Sequence, residues 1–194
     1  PLTKIIATKA QGADVILKGS SFDEAVAHSR ELQAEHGYTY VHAFDDDLVI
    51  AGQGTIGLEL AEDLPDMTVV VVPIGGGGLA AGVASVVKEL RPHVQVWGVQ
   101  PHDSDAMARS LRAGTRVVLD HVGLFADGVT AKQVGEYTFP ICQRVISPMS
   151  GDVSAPTPMP VTNSHRRARP ETSRTAGRIE RIRDVSYRTA ETGS

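Results

Sequence analysis

Only one cysteine, Cys142, and one asparagine, Asn163, occur among the 194 residues. A lone cysteine excludes an intramolecular disulfide and fits a reducing compartment. Long apolar runs are missing too. None approaches the roughly 20 residues a membrane-crossing helix needs, and no charged-then-apolar leader opens the chain. A soluble, cytoplasmic protein with no membrane partner is expected. The formal net charge is only −4, which leaves no electrostatic footprint for nucleic acid. Seven histidines lie scattered without metal-ligand spacing, so no metal site is expected. Lysine is absent beyond Lys132. The five present are Lys4, Lys9, Lys18, Lys88 and Lys132.

Apolar residues make up 41% and charged residues 22%, a balance that supports a packed core of ordinary domain size. The first 143 residues alternate strand-like and helix-like segments. Ala13 to Leu17 reads as a strand closed by Gly19. Ser21-Phe22-Asp23-Glu24 is a capping box that starts a helix running to about Glu35 and stopping at Gly37. Tyr38 to Val41 reads as a second short strand. Asp45, Asp46 and Asp47 supply acids for the first turn of a helix over Leu48–Asp63, which Gly52, Gly54 and Gly57 weaken intrinsically. Thr68 to Val72 is an unbroken apolar strand of the kind buried in a parallel sheet. A glycine turn, a helix over Leu79–Leu90, a strand over Val94–Val99 and a helix over Asp103–Ala113 follow. Strand, turn, helix, strand is a βαβ unit, so an α/β layered fold is predicted. Trp97 is expected in the core, and Cys142 as a buried apolar residue without a catalytic partner.

Beyond about Arg144 the periodicity fails. Residues 151–194 carry eight arginines against five acids, while residues 1–150 carry 11 basic against 18 acidic residues. Ser, Thr, Pro, Ala and Arg dominate this stretch, as in a disordered or linker-like tail. Arg166, Arg167 and Arg169 are its only basic cluster.

The most informative stretch is Val69-Val70-Val71-Val72-Pro73-Ile74-Gly75-Gly76-Gly77-Gly78-Leu79-Ala80-Ala81-Gly82. Four residues without Cβ let the backbone turn sharply and let an anion approach its amides. The following helix adds free N–H groups and the positive end of its dipole. A phosphate or carboxylate held by the amides of Gly75 to Leu79 is therefore predicted. Gly75 to Ala80 literally satisfies the dinucleotide pattern G-x-G-x-x-G/A. That pattern also needs an acid at the end of the next strand, where Gln100 stands. The Walker pattern fails, because no Gly-Lys-Ser/Thr follows. A single phosphate on a small cofactor fits better, although a nucleotide-binding module remains an alternative.

Phe44-Asp45-Asp46-Asp47-Leu48-Val49-Ile50-Ala51-Gly52-Gln53-Gly54-Thr55-Ile56-Gly57-Leu58-Glu59 resembles the F-D-D/H-x-x-V-I-A-G-Q-G-T-x-x-x-E segment of threonine dehydratases. These belong to the fold-type II pyridoxal-phosphate (PLP) enzymes, with tryptophan synthase β and serine racemase. Val72 to Leu79 resembles their phosphate loop. Val122-Gly123-Leu124-Phe125-Ala126-Asp127-Gly128-Val129 resembles the strand beside the cofactor ring in the biosynthetic type. Together these motifs cover about residues 1–143 in order.

The resemblance implies a three-layer open parallel sheet of the tryptophan synthase β-like fold, incomplete at both ends. It assigns residues 1–44 to a small substrate-closing domain and 45–143 to a phosphate-binding domain, leaving 144–194 as tail. It implies pyridoxal 5′-phosphate as cofactor, its phosphate on the amides of Gly75, Gly76, Gly77, Gly78 and Leu79, with Gly128 against the pyridine ring. The implied reaction is β-elimination from threonine (or serine), giving 2-oxobutyrate and ammonia in isoleucine biosynthesis. The implied setting is a homo-oligomer acting on a small amino acid.

The resemblance also exposes departures. The family's Schiff-base lysine lies in an S-F-K-x-R-G-A segment, and none of the five lysines here has those neighbours. Lys4 and Lys9 resemble chain entering the small domain, and Lys88 and Lys132 surface helix positions. Gln100 replaces a glutamate near which some relatives bind a cation. Pro140 interrupts a helix, at about 3 kcal/mol if interior. The chain is therefore expected to be an internal fragment without catalysis of its own, or a non-catalytic remnant. A shifted reading frame would account for the lysine-free tail, and coding DNA that yields no family-like sequence in another frame would refute it. Apolar sheet edges are expected to promote aggregation.

Overall fold

The computed structural model describes residues 2–19, 22–123 and 126–146. It divides into two compact units between Val41 and His42. The capping serine Ser21 and the whole of 147–194 lie outside the described residues.

The first unit holds helices α1 (Leu2–Ala10) and α2 (Phe22–His36). Helix α2 ends as its sequence predicts. Gly37 adopts φ +70° and its amide donates to Gln33 O at 2.9 Å, a left-handed C-terminal cap. Arg30 lies over the Tyr40 ring at 3.5 Å. The strands expected at Ala13–Leu17 and Tyr38–Val41 are not formed. A strand exists only where a neighbour completes its ladder, and among the described residues neither segment has one. Ile16, Leu17 and Val41 accordingly stand exposed.

The second unit begins with α3 (Asp47–Asp63), capped by Asp46, whose carboxylate accepts from the Leu48 and Val49 amides at 2.9 and 3.1 Å. Strand β1 (Val69–Pro73), helix α4 (Gly78–Leu90) and strand β2 (Gln95–Val99) form the predicted βαβ unit. The strands pair in parallel, from Val69 opposite Gln95 to Pro73 opposite Val99. The expected helix at Asp103–Ala113 is split into a 3₁₀ turn (His102–Ser104) and α5 (Ala106–Ala113). Helix α6 (Thr138–Val145) closes the unit. Pro140 is its third residue. The first N–H groups of a helix lack intrahelical acceptors anyway, so the interior penalty does not arise.

Two expectations about the sheet need correction. Val70, Val72 and Val96 face the helices, whereas Val71 and Trp97, 58% and 44% exposed, point the other way. The strands thus alternate in burial because the described helices cover one face. Trp97 is not core; its indole N–H donates to Gln95 Oε1 at 3.0 Å.

Helix α4 is the centre of the fold, buried from Gly78 through Val87 except at Leu79 and Ser85. Its approach to α3 depends on glycine. A Cβ on Gly57 would meet Val83 O at 2.9 Å, and one on Gly82 would overlap the Ile50 carbonyl oxygen. Two glycines that weaken the helices in isolation thus let their backbones touch. We predict that Gly82→Ala lowers the unfolding free energy by about 2 kcal/mol through overpacking. Gly52, exposed with nothing near its Cβ position, should gain about 0.5–1 kcal/mol as alanine. Urea denaturation of the two variants measures both signs.

Candidate functional site

Strand β1 leads through Ile74 into Gly75–Gly78 and directly into α4. The Ile74 amide makes the last sheet bond, to Val99 O at 2.9 Å. The next amide with a partner is Ala81, which donates to Gly77 O at 2.8 Å. Between them, the N–H groups of Gly75, Gly76, Gly77, Gly78, Leu79 and Ala80 have no acceptor among the described residues. Gly76, Gly77 and Gly78 are buried. Buried amides are rarely left unpaired, and these lie at the positive end of a 13-residue helix. The arrangement fits an anion with several acceptor oxygens.

The glycines are required on the opposite side as well. Phe44 presses its ring against Gly76, and a Cβ on Gly76 would overlap that ring. Gly77 adopts φ +107°, the left-handed region, and a Cβ there would meet the Thr138 side chain at 2.8 Å. Gly75 lies against the Val129 backbone.

A hydrogen-bond frame holds this packing. His42 Nδ1 accepts from the amides of Phe44 and Asp45 at 3.2 and 2.8 Å, which places the proton of neutral His42 on Nε2. The Asp45 carboxylate accepts from the amides of Glu136, Tyr137 and Thr138 at 2.8, 2.9 and 3.2 Å. Asp45 therefore caps α6, not α3 as the sequence suggested. Thr138 Oγ1 donates to Gly76 O at 2.6 Å and accepts from Gly135 N at 3.0 Å. Gln100 uses both ends of its amide. Its Nε2 donates to Ile74 O at 3.1 Å, and its Oε1 accepts from Ala108 N at 2.9 Å. A glutamate could not make the first bond.

An open cleft of about 660 Å³ lies beyond the carboxyl ends of both strands, lined by Pro73, Val99, Gln100, Pro101, His102, Asp103, Ala126 and Val129. Ligands of open parallel sheets bind in such crevices. Gly128 is not among these lining residues; it precedes Val129 in the chain, exposed and with nothing within 4 Å of its Cβ position. The strand expected at Val122–Val129 is instead a 3₁₀ turn over Asp127–Val129, with Leu124 and Phe125 outside the described residues.

Neither lysine of the second unit, Lys88 or Lys132, lines this cleft. Lys88 Nζ donates to Val94 O at 2.7 Å, at the entry to β2. Lys132 sits in a half-buried bend, not on the surface helix expected for it. Among the described residues no cluster of His, Cys, Asp and Glu could hold a metal ion. Cys142 is fully buried, its Sγ 3.9 Å from Gly77 O, and burial pushes its thiol up from 9.0 to about 12.

Residues 1–151 match the family described as pyridoxal-phosphate dependent enzyme. The chain is 52% identical over 150 residues to a biosynthetic L-threonine dehydratase of Burkholderia multivorans, covering 75% of this chain and 30% of that protein. It is 46% identical over 149 residues to an L-threonine ammonia-lyase of Thermotoga maritima, covering 77% of this chain and 37% of that protein. The processed form of threonine deaminase isoform 2 from Solanum lycopersicum superposes with a TM-score of 0.71 at 49% identity. That match spans 75% of this chain and 43% of the other. The chain thus spans well under half the length of the curated relatives it matches.

Asp45→Ala, which strips three amides of their acceptor, should cost about 1–2 kcal/mol in urea unfolding. The Cys142 thiol should react with a disulfide reagent at pH 8 roughly a thousandfold more slowly in the native chain than in the unfolded one. Since the raised value keeps the proton on the folded form, Cys142 contributes full stability below pH 9.0 and loses it as pH rises toward about 12. Cys142→Ala should remove that alkaline dependence.

Proposed function

The chain belongs to the pyridoxal-phosphate-dependent enzymes, and on that footing we propose that it is part of a threonine (or serine) dehydratase. The observation that carries this reading is the run of acceptor-less amides that includes Gly75 to Leu79, beside the strand-end cleft. These amides and the α4 N-terminus would hold the phosphate of pyridoxal 5′-phosphate, and Gly128 would leave room for its ring. Pro73, Val99, Pro101 and Val129 present apolar surface that displaces water from the bound group. When bound, the cofactor supplies an electron sink for the α-carbon of an amino acid, as β-elimination to 2-oxobutyrate and ammonia requires. The threonine-acting relatives support threonine over other amino acids.

Residues 1–44 belong on this reading to the small domain that closes over substrate, and 45–143 to the phosphate-binding domain. The protein works as part of a cytoplasmic homo-oligomer. No helix among the described residues is long and apolar enough to cross a membrane.

A second reading has its own observation. A proton must leave the substrate's α-carbon, and a lysine is the family's means of moving it, yet neither lysine of the second unit lines the cleft. The chain by itself would then bind the phosphate without turnover.

Purifying the chain with pyridoxal 5′-phosphate, reducing with borohydride and locating the label by mass spectrometry separates the two. Stoichiometric label on one lysine with 2-oxobutyrate release from threonine would establish a self-sufficient dehydratase and defeat the second reading. Scattered label, no product and saturable binding of the cofactor would support the phosphate-binding chain. Absence of saturable binding would sink both.

A further inference from the structure

The geometry points to Thr138 as a positioning residue that turns the Gly76–Gly77 peptide so that its N–H faces the bound anion. This rests on the phosphate reading of the glycine turn. No described peptide bond is cis, and in a trans peptide the C=O and the following N–H point in opposite directions. Whatever holds a carbonyl therefore aims the next amide. Ile74 O is held by Gln100 Nε2, which aims the Gly75 amide; Gly77 O is held by Ala81 N, which aims the Gly78 amide along the helix axis.

The plane between Gly76 and Gly77, like the planes on either side of it, is flanked by two residues without a Cβ, so its rotation meets little steric resistance. Its flipped form would point a carbonyl oxygen at the anion in place of a donor. Thr138 Oγ1 clamps that carbonyl at 2.6 Å, with Gly135 N adding a bond at 3.2 Å. Gly135 N also donates to Thr138 Oγ1, which orients the hydroxyl proton toward Gly76. Thr138 is itself fully buried, and its amide is fixed by Asp45. The clamp comes from a segment 62 residues along the chain. The state of α6 is therefore coupled to the shape of the cradle.

The test uses the ¹⁵N-labelled full chain titrated with inorganic phosphate, following the amides of Gly75 to Leu79. Thr138→Val removes the hydroxyl at nearly constant volume; Thr138→Ser keeps it. Ser110→Ala removes a different buried hydroxyl, which bonds Ala106 O and Val117 N away from the turn. Thr138→Val should weaken phosphate binding about tenfold, the worth of one charge-assisted donor. It should also shift the Gly77 amide resonance before any phosphate is added. Thr138→Ser should retain affinity within about twofold. Ser110→Ala should unfold more readily in urea with phosphate affinity unchanged. If Thr138→Val does not fold, Thr138→Ala, which removes bulk as well, is read in the same way. Wild-type affinity in the hydroxyl-free variant would overturn the inference, as would equal weakening by Ser110→Ala. A wild-type chain whose turn amides show no saturable shift would remove the phosphate reading itself, and the inference with it.

Discussion

Six neighbouring peptide N–H groups, Gly75 to Ala80, without a partner among the described residues are the constraint around which the second unit is arranged. Backbone donors buried without an acceptor cost as much as a lost hydrogen bond each, and Gly76, Gly77, Gly78 and Ala80 are buried. Their arrangement requires a strand that stops making sheet bonds at Ile74 and a helix that starts only with the Ala81 bond. It also requires residues small enough for other parts of the chain to press from behind. Phe44 and Val129 do that pressing, and Asp45 and Thr138 lock the two approaching segments together. One side of the turn is packed like a core.

The same logic runs through the helices. Glycines in α3 and α4 lower intrinsic helix stability, yet Gly57 and Gly82 allow a backbone-to-backbone contact that larger residues forbid. That contact holds α4 rigidly at its N-terminal half, where the unpaired amides emerge. Helix propensity is given up locally, and a fixed position of the N-terminal end of α4 is gained.

The features legible in the sequence were those with local causes. The βαβ unit, the capping of α2 by Gly37 and the glycine turn each follow from residues adjacent in the chain. Features that depend on distant partners were misread. Ala13–Leu17 has strand-like composition but no described neighbour to pair with. Trp97 sits in an apolar run, but the face on which it falls is decided by which side the helices cover. Asp45 was indistinguishable from Asp46 and Asp47, because nothing local reveals that one carboxylate turns toward residues 136–138. Thr138 carried no signal for the same reason. The departure of Gln100 from the family's glutamate was visible, but its purpose needed the Ile74 carbonyl, 26 residues back, to be in place.

The position of Trp97 makes it an optical probe. It is the only tryptophan in the chain. Its indole lies on the sheet face that the described helices leave bare, beside Val71 and Val99, both at least half exposed. Its fluorescence should therefore be red-shifted and open to aqueous quenchers in this state. Anything that lays an apolar layer over that face would move the emission to the blue and shield it. The natural sequence thus carries its own spectroscopic report on whether the second side of the sheet is covered.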